Sequence, residues 1–371
     1  MKNAAIKIFT WWLILLVGGC VDPYRPPEIT SPGSYLVMNG FFNSAAGATS
    51  TIQLSRSQNL TDTKAPTVET KATVTIESQS KATFPLTEGT AGTYTLSGVT
   101  PQAGETYRLH VRTAKGVEYY SDYVPVIQTP PIDSVSWRIE NNGVQINVNT
   151  HDPTNNTHYY RWEYDETWEY FTPYYSTLEL KNNQIVDRPF SVNQCWRSGS
   201  STNIMTTSTT RLSQDVVSQF PLVFVSSNSN KLSVKYSILV RQFALSQPGF
   251  DYYDQLAKIT QNIGSIFDPQ PSQITGNLHC TTNPNELALG FFRVGTVETK
   301  RIFITYTDVP FRTVTGYDGC VIDTFTQADI IKFQSTPIKK YGETSRYLVS
   351  SEFCVDCRLL GGVLTRPDFW K

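Results

Sequence analysis

Apolar and polar residues alternate over short stretches along most of this chain. Between residues 34 and 127 the pattern predicts strands over Tyr35–Phe42, Thr49–Ser55, Ala72–Glu77, Ala82–Leu86, Gly92–Leu96, Thr106–Thr113 and Gly116–Asp122. Alternation is clearest in Tyr107-Arg108-Leu109-His110-Val111-Arg112, where Tyr107, Leu109 and Val111 share one face. Gly89, Gly92, Gly98, Gly104 and Gly116 punctuate the segment. Short strands at this spacing predict an immunoglobulin- or transthyretin-like β-sandwich over 34–127. Pro125, Pro130 and Pro131 mark its end, and a larger β-rich domain is expected over 132–371. That domain opens as a fibronectin-like sandwich does, with Val135–Ile139 and Val144–Val148 flanking the hairpin signal Asn141-Asn142-Gly143.

The strongest single pattern in the second region runs from Thr157 to Tyr170. As one long strand it places Tyr160, Trp162, Tyr164, Glu166, Trp168 and Tyr170 on one face, and Arg161, Glu163, Asp165, Thr167 and Glu169 on the other. A half-buried strand should show an aromatic face backed by a charged one, so the aromatic face reads as core rather than as a platform for a ligand. Residues 172–232 are polar and predict long loops. Tyr236–Phe243 reads as a buried strand. One amphipathic helix is expected near 247–263: Ser246 can cap it, Pro248 suits its first turn, and Phe250, Tyr253, Leu256, Ile259 and Ile263 recur at helical spacing. Leu287–Val294 and Lys300–Thr307 return to strand, and Ala328–Phe333 reads as a short helix. The fold class is mainly β.

The N-terminus has a different pattern. Lys2 and Lys7 precede the apolar stretch Ile8–Val17, which is too short to span a bilayer and has the length of a signal-peptide core. It ends in Leu16-Val17-Gly18-Gly19-Cys20, the pattern of a bacterial lipobox. Residues 1–19 are therefore expected to be removed and Cys20 to carry diacylglycerol and an N-acyl chain such as palmitate. Several acyl chains together anchor a protein stably. Residue 21 is Val rather than Asp, so a simple inner-membrane retention signal is missing and the outer membrane is expected. Pro23, Pro26, Pro27 and Pro32 make residues 20–33 a stiff tether.

Composition narrows the function further. The 371 residues carry a formal net charge of −1, which excludes the basic footprint of a nucleic-acid binder. Apart from Cys20 there are five cysteines, Cys195, Cys280, Cys320, Cys354 and Cys357. In an oxidising compartment they predict two disulfides and one free thiol. A bridge from Cys320 to Cys354 or Cys357 closes a longer loop than one within Cys354-Val-Asp-Cys357, and Cys195 with Cys280 is the candidate second pair.

No catalytic motif is present: H-E-x-x-H, G-x-S-x-G, the P-loop and G-x-G-x-x-G are all missing. Glu163, Asp165 and Glu169 have the spacing of a hydrolytic carboxylate pair, but a solvated strand face has it too. His151-Asp152 with His158 reads as surface loop rather than metal site. No catalytic residue, metal or cofactor is assigned. The polar loop after the helix, with Asp268, Gln270, Ser272 and Gln273 held by two prolines, is a candidate recognition element; the alternative is a structural lock between helix and sheet.

Several segments together carry a family resemblance: Cys20-Val-Asp-Pro-Tyr24, Tyr159-Tyr-Arg-Trp-Glu-Tyr164, Cys195-Trp196, Tyr236-Ser-Ile-Leu-Val-Arg-Gln-Phe243, Gly264-Ser-Ile-Phe-Asp-Pro-Gln-Pro-Ser-Gln273, Leu289-Gly-Phe-Phe292, Cys354-Val-Asp-Cys357 and Arg366-Pro-Asp-Phe-Trp370. The chain resembles the bacterial outer-membrane lipoproteins classed as domain of unknown function 4249. The resemblance implies a lipid-anchored surface protein, often associated with TonB-dependent outer-membrane receptors, and implies no known activity. The expectation is a non-enzymatic receptor accessory that captures ligand or docks on the receptor. The alternatives are a carboxylate-dependent secreted hydrolase and an adhesin or structural envelope module. Anchoring through Cys20 predicts that Cys20→Ala moves the protein from the detergent phase to the aqueous phase in a partitioning assay.

Overall fold

The computed structural model describes residues 34–371 apart from 59–61, 262–273, 275, 311–316 and 318. The expected signal peptide, Cys20 and the expected tether lie outside the described residues. The first sandwich contains β1 (Leu36–Asn43), β2 (Thr49–Arg56), β3 (Thr73–Ser78), β4 (Thr83–Pro85), β5 (Thr87–Glu88), β6 (Thr93–Ser97), β7 (Thr106–Arg112), β8 (Glu118–Ser121) and β9 (Val124–Ile127). Period-2 alternation builds its core: Leu36, Met38, Ile52 and Leu54 of β1 and β2 face Val74, Ile76, Leu109 and Val111 of β3 and β7.

The second sandwich follows with β10 (Ile132–Glu140), β11 (Gly143–His151), β12 (Tyr159–Phe171), β13 (Leu178–Lys181), β14 (Gln184–Asp187), β15 (Gln194–Ser200), β16 (Met205–Ser208), β17 (Val216–Ser226) and β18 (Lys235–Ala244). The β10–β11 turn is made by Asn141 and Asn142, both at positive φ. β10, β11 and β17 form one sheet, while β15, β12 and β18 with β16 lie in the other. Residues 172–232 thus hold five strands where loops were expected: the short β13–β16, which edge the sheet or form the separate β13–β14 hairpin, and the eleven-residue β17, whose Val217, Leu222 and Val225 enter the core. The aromatic face of β12 is core, as its alternation required. Tyr160, Trp162 and Tyr170 are fully buried, and Trp162 stacks on Phe220 at 4.6 Å.

The helix α1 (Gln247–Gln261) comes next. Its Phe250 packs on Tyr159 of β12, with ring centroids 5.0 Å apart, whereas Tyr252 packs on Phe291 at 5.7 Å. The helix therefore lies against the second sandwich and the segment after it, rather than on one sheet alone.

That segment corrects the expectation of one domain over 132–371. β19 (Leu278–Cys280) pairs with β8, β20 (Ala288–Leu289) runs parallel to β1, and β21 (Val294–Gly295) lies between β1 and β9. The chain crosses back because Leu278, Ala288, Phe292 and Val294 are apolar and complete the first core. Gly290, at φ +125, allows the close approach: a Cβ there would sit 2.2 Å from the Met38 carbonyl oxygen. β22 (Glu298–Thr305) then pairs with β18 in the second sandwich. The linker between the sandwiches is also fixed. Thr129 donates from its hydroxyl to the Thr296 carbonyl at 2.7 Å, and Gln242 donates to the Pro130 carbonyl at 2.7 Å.

The C-terminal region adds β23 (Asp323–Thr326), α2 (Gln327–Phe333), β24 (Thr336–Lys340) and β25 (Arg346–Ser350) as a small sheet with a capped helix. Two disulfides hold it, Cys320–Cys354 and Cys195–Cys357. The Cys195–Cys280 pair does not form. Cys280 is buried on β19 in the first core and is free, while Cys195 on β15 lies in the second. The C-x-x-C cysteines bridge to two different partners, so neither thiol is available for redox chemistry. On a chain-entropy argument the loop spanning 162 positions contributes about 5 kcal/mol and the one spanning 34 about 4 kcal/mol. Cys357→Ala should therefore lower the urea midpoint more than Cys320→Ala, and a non-reducing peptide map should recover Cys280 as the free thiol.

Candidate functional site between the two sandwiches

A cleft of ≈580 Å³ lies where the outer face of β1 and β2 meets the charged face of β12 and β18. One wall is uncharged and polar. Alternation along β1 and β2 sends Leu36, Met38, Ile52 and Leu54 into the core, which leaves Asn39, Phe41, Thr51 and Gln53 facing the cleft. Asn39 and Gln53 sit opposite each other across the strand pair, with Nδ2 and Oε1 3.5 Å apart. Gly40, next along β1 and opposite Ile52, is at φ +132, and a Cβ there would come within 2.1 Å of the Thr51 carbonyl oxygen.

The other wall is a ladder of arginines and aromatic rings. The Arg293 guanidinium lies 4.0 Å from the Phe41 ring centroid and 4.2 Å from that of Phe243. These two rings meet edge to face at 5.7 Å. Arg161 lies over Tyr253 at 4.2 Å and approaches Phe243 at 5.6 Å. Contacts of this kind between a desolvated cation and a ring are worth up to about 2 kcal/mol each.

Charge is distributed unevenly along this wall. Glu163 pairs with Arg161 and lies 3.6 Å from Arg241, and Arg241 also forms an ion pair with Asp165. Of the three carboxylates considered for hydrolysis, Glu163 and Asp165 are therefore tied up by arginines. The bond from Arg241, with a further one from Ser200, holds the Asp165 carboxyl below its ordinary pKa. A general acid needs the opposite shift. Glu169 lies apart, accepting from Gln194 and, at 3.1 Å, from the Trp370 indole.

Arg293 is the exception. It is only 7% exposed, and among the described residues it is in no ion pair. Burial pushes its pKa down to about 10, with the Arg161 charge adding to the depression and Tyr253 and Glu163 opposing it. The rings of Phe41 and Phe243 flank it on adjacent sides, at about right angles to each other, and Tyr253 is hydrogen-bonded to it. The N–H donors of a guanidinium lie in its plane, five in all, so one such partner leaves others for hydrogen bonding.

A family profile described as domain of unknown function (DUF4249) matches residues 21–301. The chain belongs to this family. The DUF4249 match takes in both walls of the cleft and the segment that crosses back, and stops before Cys320. No curated protein matches the chain. Among solved structures, a two fibronectin type-III domain segment from chicken tenascin aligns at 12% identity, covering 57% of this DUF4249 chain and 92% of that one, with a TM-score of 0.17. The sandwich assignment rests on strand pairing and burial, not on that likeness.

The expected recognition residues Asp268, Gln270, Ser272 and Gln273 lie outside the described residues, as does Cys20. His151 is paired with Asp133 at 2.8 Å, and the Asp152 carboxylate accepts from Thr154 and Asn156 in its own turn. Among the described residues no group of three metal-ligating side chains occurs. Sequence reasoning missed Arg293, Phe41, Arg241 and Phe243. Arg293 did leave a signal, as a lone charge inside the apolar run Leu287–Val294.

Replacing Arg293 by methionine removes a desolvated cation and keeps an apolar chain of similar length. Buried charges exchanged for apolar groups are commonly neutral or stabilising. Arg293→Met is expected to unfold no earlier than wild type, by urea midpoint and by melting temperature. Trp162→Ala, in the core behind the same strand, should cost about 3–5 kcal/mol.

Proposed function

We propose that this protein is a non-enzymatic, lipid-anchored accessory of a TonB-dependent outer-membrane receptor, and that it captures ligand in the cleft between its two sandwiches. The observation that carries the reading is the pairing state of the cleft. Its carboxylates are neutralised by arginines, while one buried arginine has no counter-charge in the described chain. Such a site is built to hold something and has no free acid, base or nucleophile to transform it. The lipobox at Cys20 supports membrane attachment, and the proline-rich 20–33 stretch supports a body held off the bilayer. Less supports the hydrolase alternative: the Asp165 carboxyl is shifted opposite to what a general acid needs, the Glu163 carboxylate is engaged by two guanidinium groups, and Glu169 lies apart from both.

The test is affinity purification of the tagged full-length chain from detergent-solubilised outer membranes. A TonB-dependent receptor should co-purify in stoichiometric amount and disappear with Cys20→Ala. Recovery of the chain without any such receptor would overturn the accessory role.

A further inference from the structure

We propose that the cleft takes an acidic saccharide, with the ligand carboxylate on the Arg293 edge and its hydroxyls on the amide wall of β1 and β2. This deepens the capture reading of the same cleft and rests on it. The argument begins with charge. Three guanidinium groups, of Arg161, Arg241 and Arg293, stand against the two carboxylates of Glu163 and Asp165, which leaves one positive charge over. That charge falls on Arg293, which is buried and flanked by the rings of Phe41 and Phe243. A guanidinium presents a planar fork of donors whose geometry matches a carboxylate in bidentate fashion. Two rings that hold it in place also remove the rotational freedom it would otherwise lose on binding.

The facing wall sets what else the ligand carries. Asn39, Thr49 and Gln53 are exposed, Asn43 and Thr51 half-buried, and none is charged. Amides offer both a donor and an acceptor, which suits vicinal hydroxyls, and threonine hydroxyls add a third kind of partner. A purely apolar acid would leave these groups without partners, and a bare inorganic anion would not reach them. A carboxylate carried on a hydroxyl-rich ring satisfies both walls at once. The two walls come from different sandwiches, fixed to each other by the crossing segment, so the spacing between them is built before the ligand arrives.

The experiment measures binding of trigalacturonate to the full-length lipidated chain in detergent by calorimetry at low ionic strength. Its methyl-esterified form, which keeps the hydroxyls and loses the charge, and inorganic phosphate are the comparison probes. Trigalacturonate should bind at least tenfold more tightly than either, and its affinity should fall as salt rises. Arg293→Met should abolish the preference for acid over ester. The double variant Asn39→Ala with Gln53→Ala touches only exposed side chains, and should weaken trigalacturonate at least tenfold with an unchanged melting temperature. Equal binding of acid and ester would overturn the role of Arg293. Equal binding of phosphate and trigalacturonate would overturn the saccharide assignment. No binding of any probe, with the receptor still co-purifying, would overturn this inference and leave the accessory role standing. Binding without receptor co-purification would do the reverse.

Discussion

Gln242 is the polar group on which the relation of the two sandwiches depends. It is fully buried on β18, where an unsatisfied amide would cost about 1–3 kcal/mol. Its Oε1 accepts from the Trp162 indole at 2.9 Å, and its Nε2 donates to the Pro130 carbonyl and to the Thr150 hydroxyl. One side chain thus joins the aromatic core of β12, the linker and β11. Thr129 extends the arrangement, accepting from the Ala244 amide at 3.1 Å while donating to Thr296. A linker whose polar groups are paired in this way is a structural joint, not a flexible connection. The crossing segment acts in the same direction from the other side. Glu286 binds Tyr119 and lies 3.5 Å from Arg56, both in the first sandwich, before β22 re-enters the second.

A fixed joint is what makes a cleft between sheets useful. Neither wall contains a preformed pocket on its own: β1 and β2 offer a flat polar face, and β12 with β18 a row of ion pairs. Only their juxtaposition encloses Arg293, which comes from the crossing segment and so is placed at the junction by the same residues that close the first core. Phe292 and Val294, on either side of it, are buried in that core. The alternation that drives them inward drives Arg293 outward, toward the second sandwich. The position of the cation is thus a by-product of apolar burial, and its cost is offset by the rings of Phe41 and Phe243.

How far the sequence could be read follows from the range of each signal. Seven strands of 34–127 were legible because their alternation is local, and each of those begins and ends within about two residues of its expected place, whereas the short β5 and β9 were not expected. The long strand Tyr159–Phe171 was legible for the same reason. The polar strands of 178–226 were not, because edge strands carry little apolar alternation. The crossing segment was read correctly as partly strand, yet not as belonging to the first sandwich, since pairing partners 250 positions apart leave no local trace: Val37 lies beside Leu289 and Leu36 beside Ala288. The disulfides show the same limit. Loop length favoured a bridge from Cys320 into the C-x-x-C, but only the fold shows that Cys280 is enclosed in a different core from Cys195. The cleft was half legible. Arg161, Glu163 and Asp165 were placed on one outward face, whereas Phe41, Arg241 and Arg293 came from segments whose approach the sequence does not encode locally.

The strand β12 explains why the cleft and the core can share so few residues and still depend on each other. Residues 160, 162, 168 and 170 fill the second sandwich, and residues 161, 163 and 165 face away from it. Arg161 therefore sits between two fully buried rings and Glu163 between buried Trp162 and partly buried Tyr164, so their backbone cannot move without shifting a packed aromatic ring. Interiors at this packing density resist such displacement. The arginine ladder gains its order from this, because Arg161 is held between the buried Tyr160 and Trp162 in sequence and between Tyr253 and Glu163 in space. Rigidity of this origin favours recognition over chemistry. The ion pairs are already made and the rings already stacked. A ligand of the kind proposed would find the donors of Arg293 in place, and would pay little of the ordering entropy that a flexible surface arginine would exact.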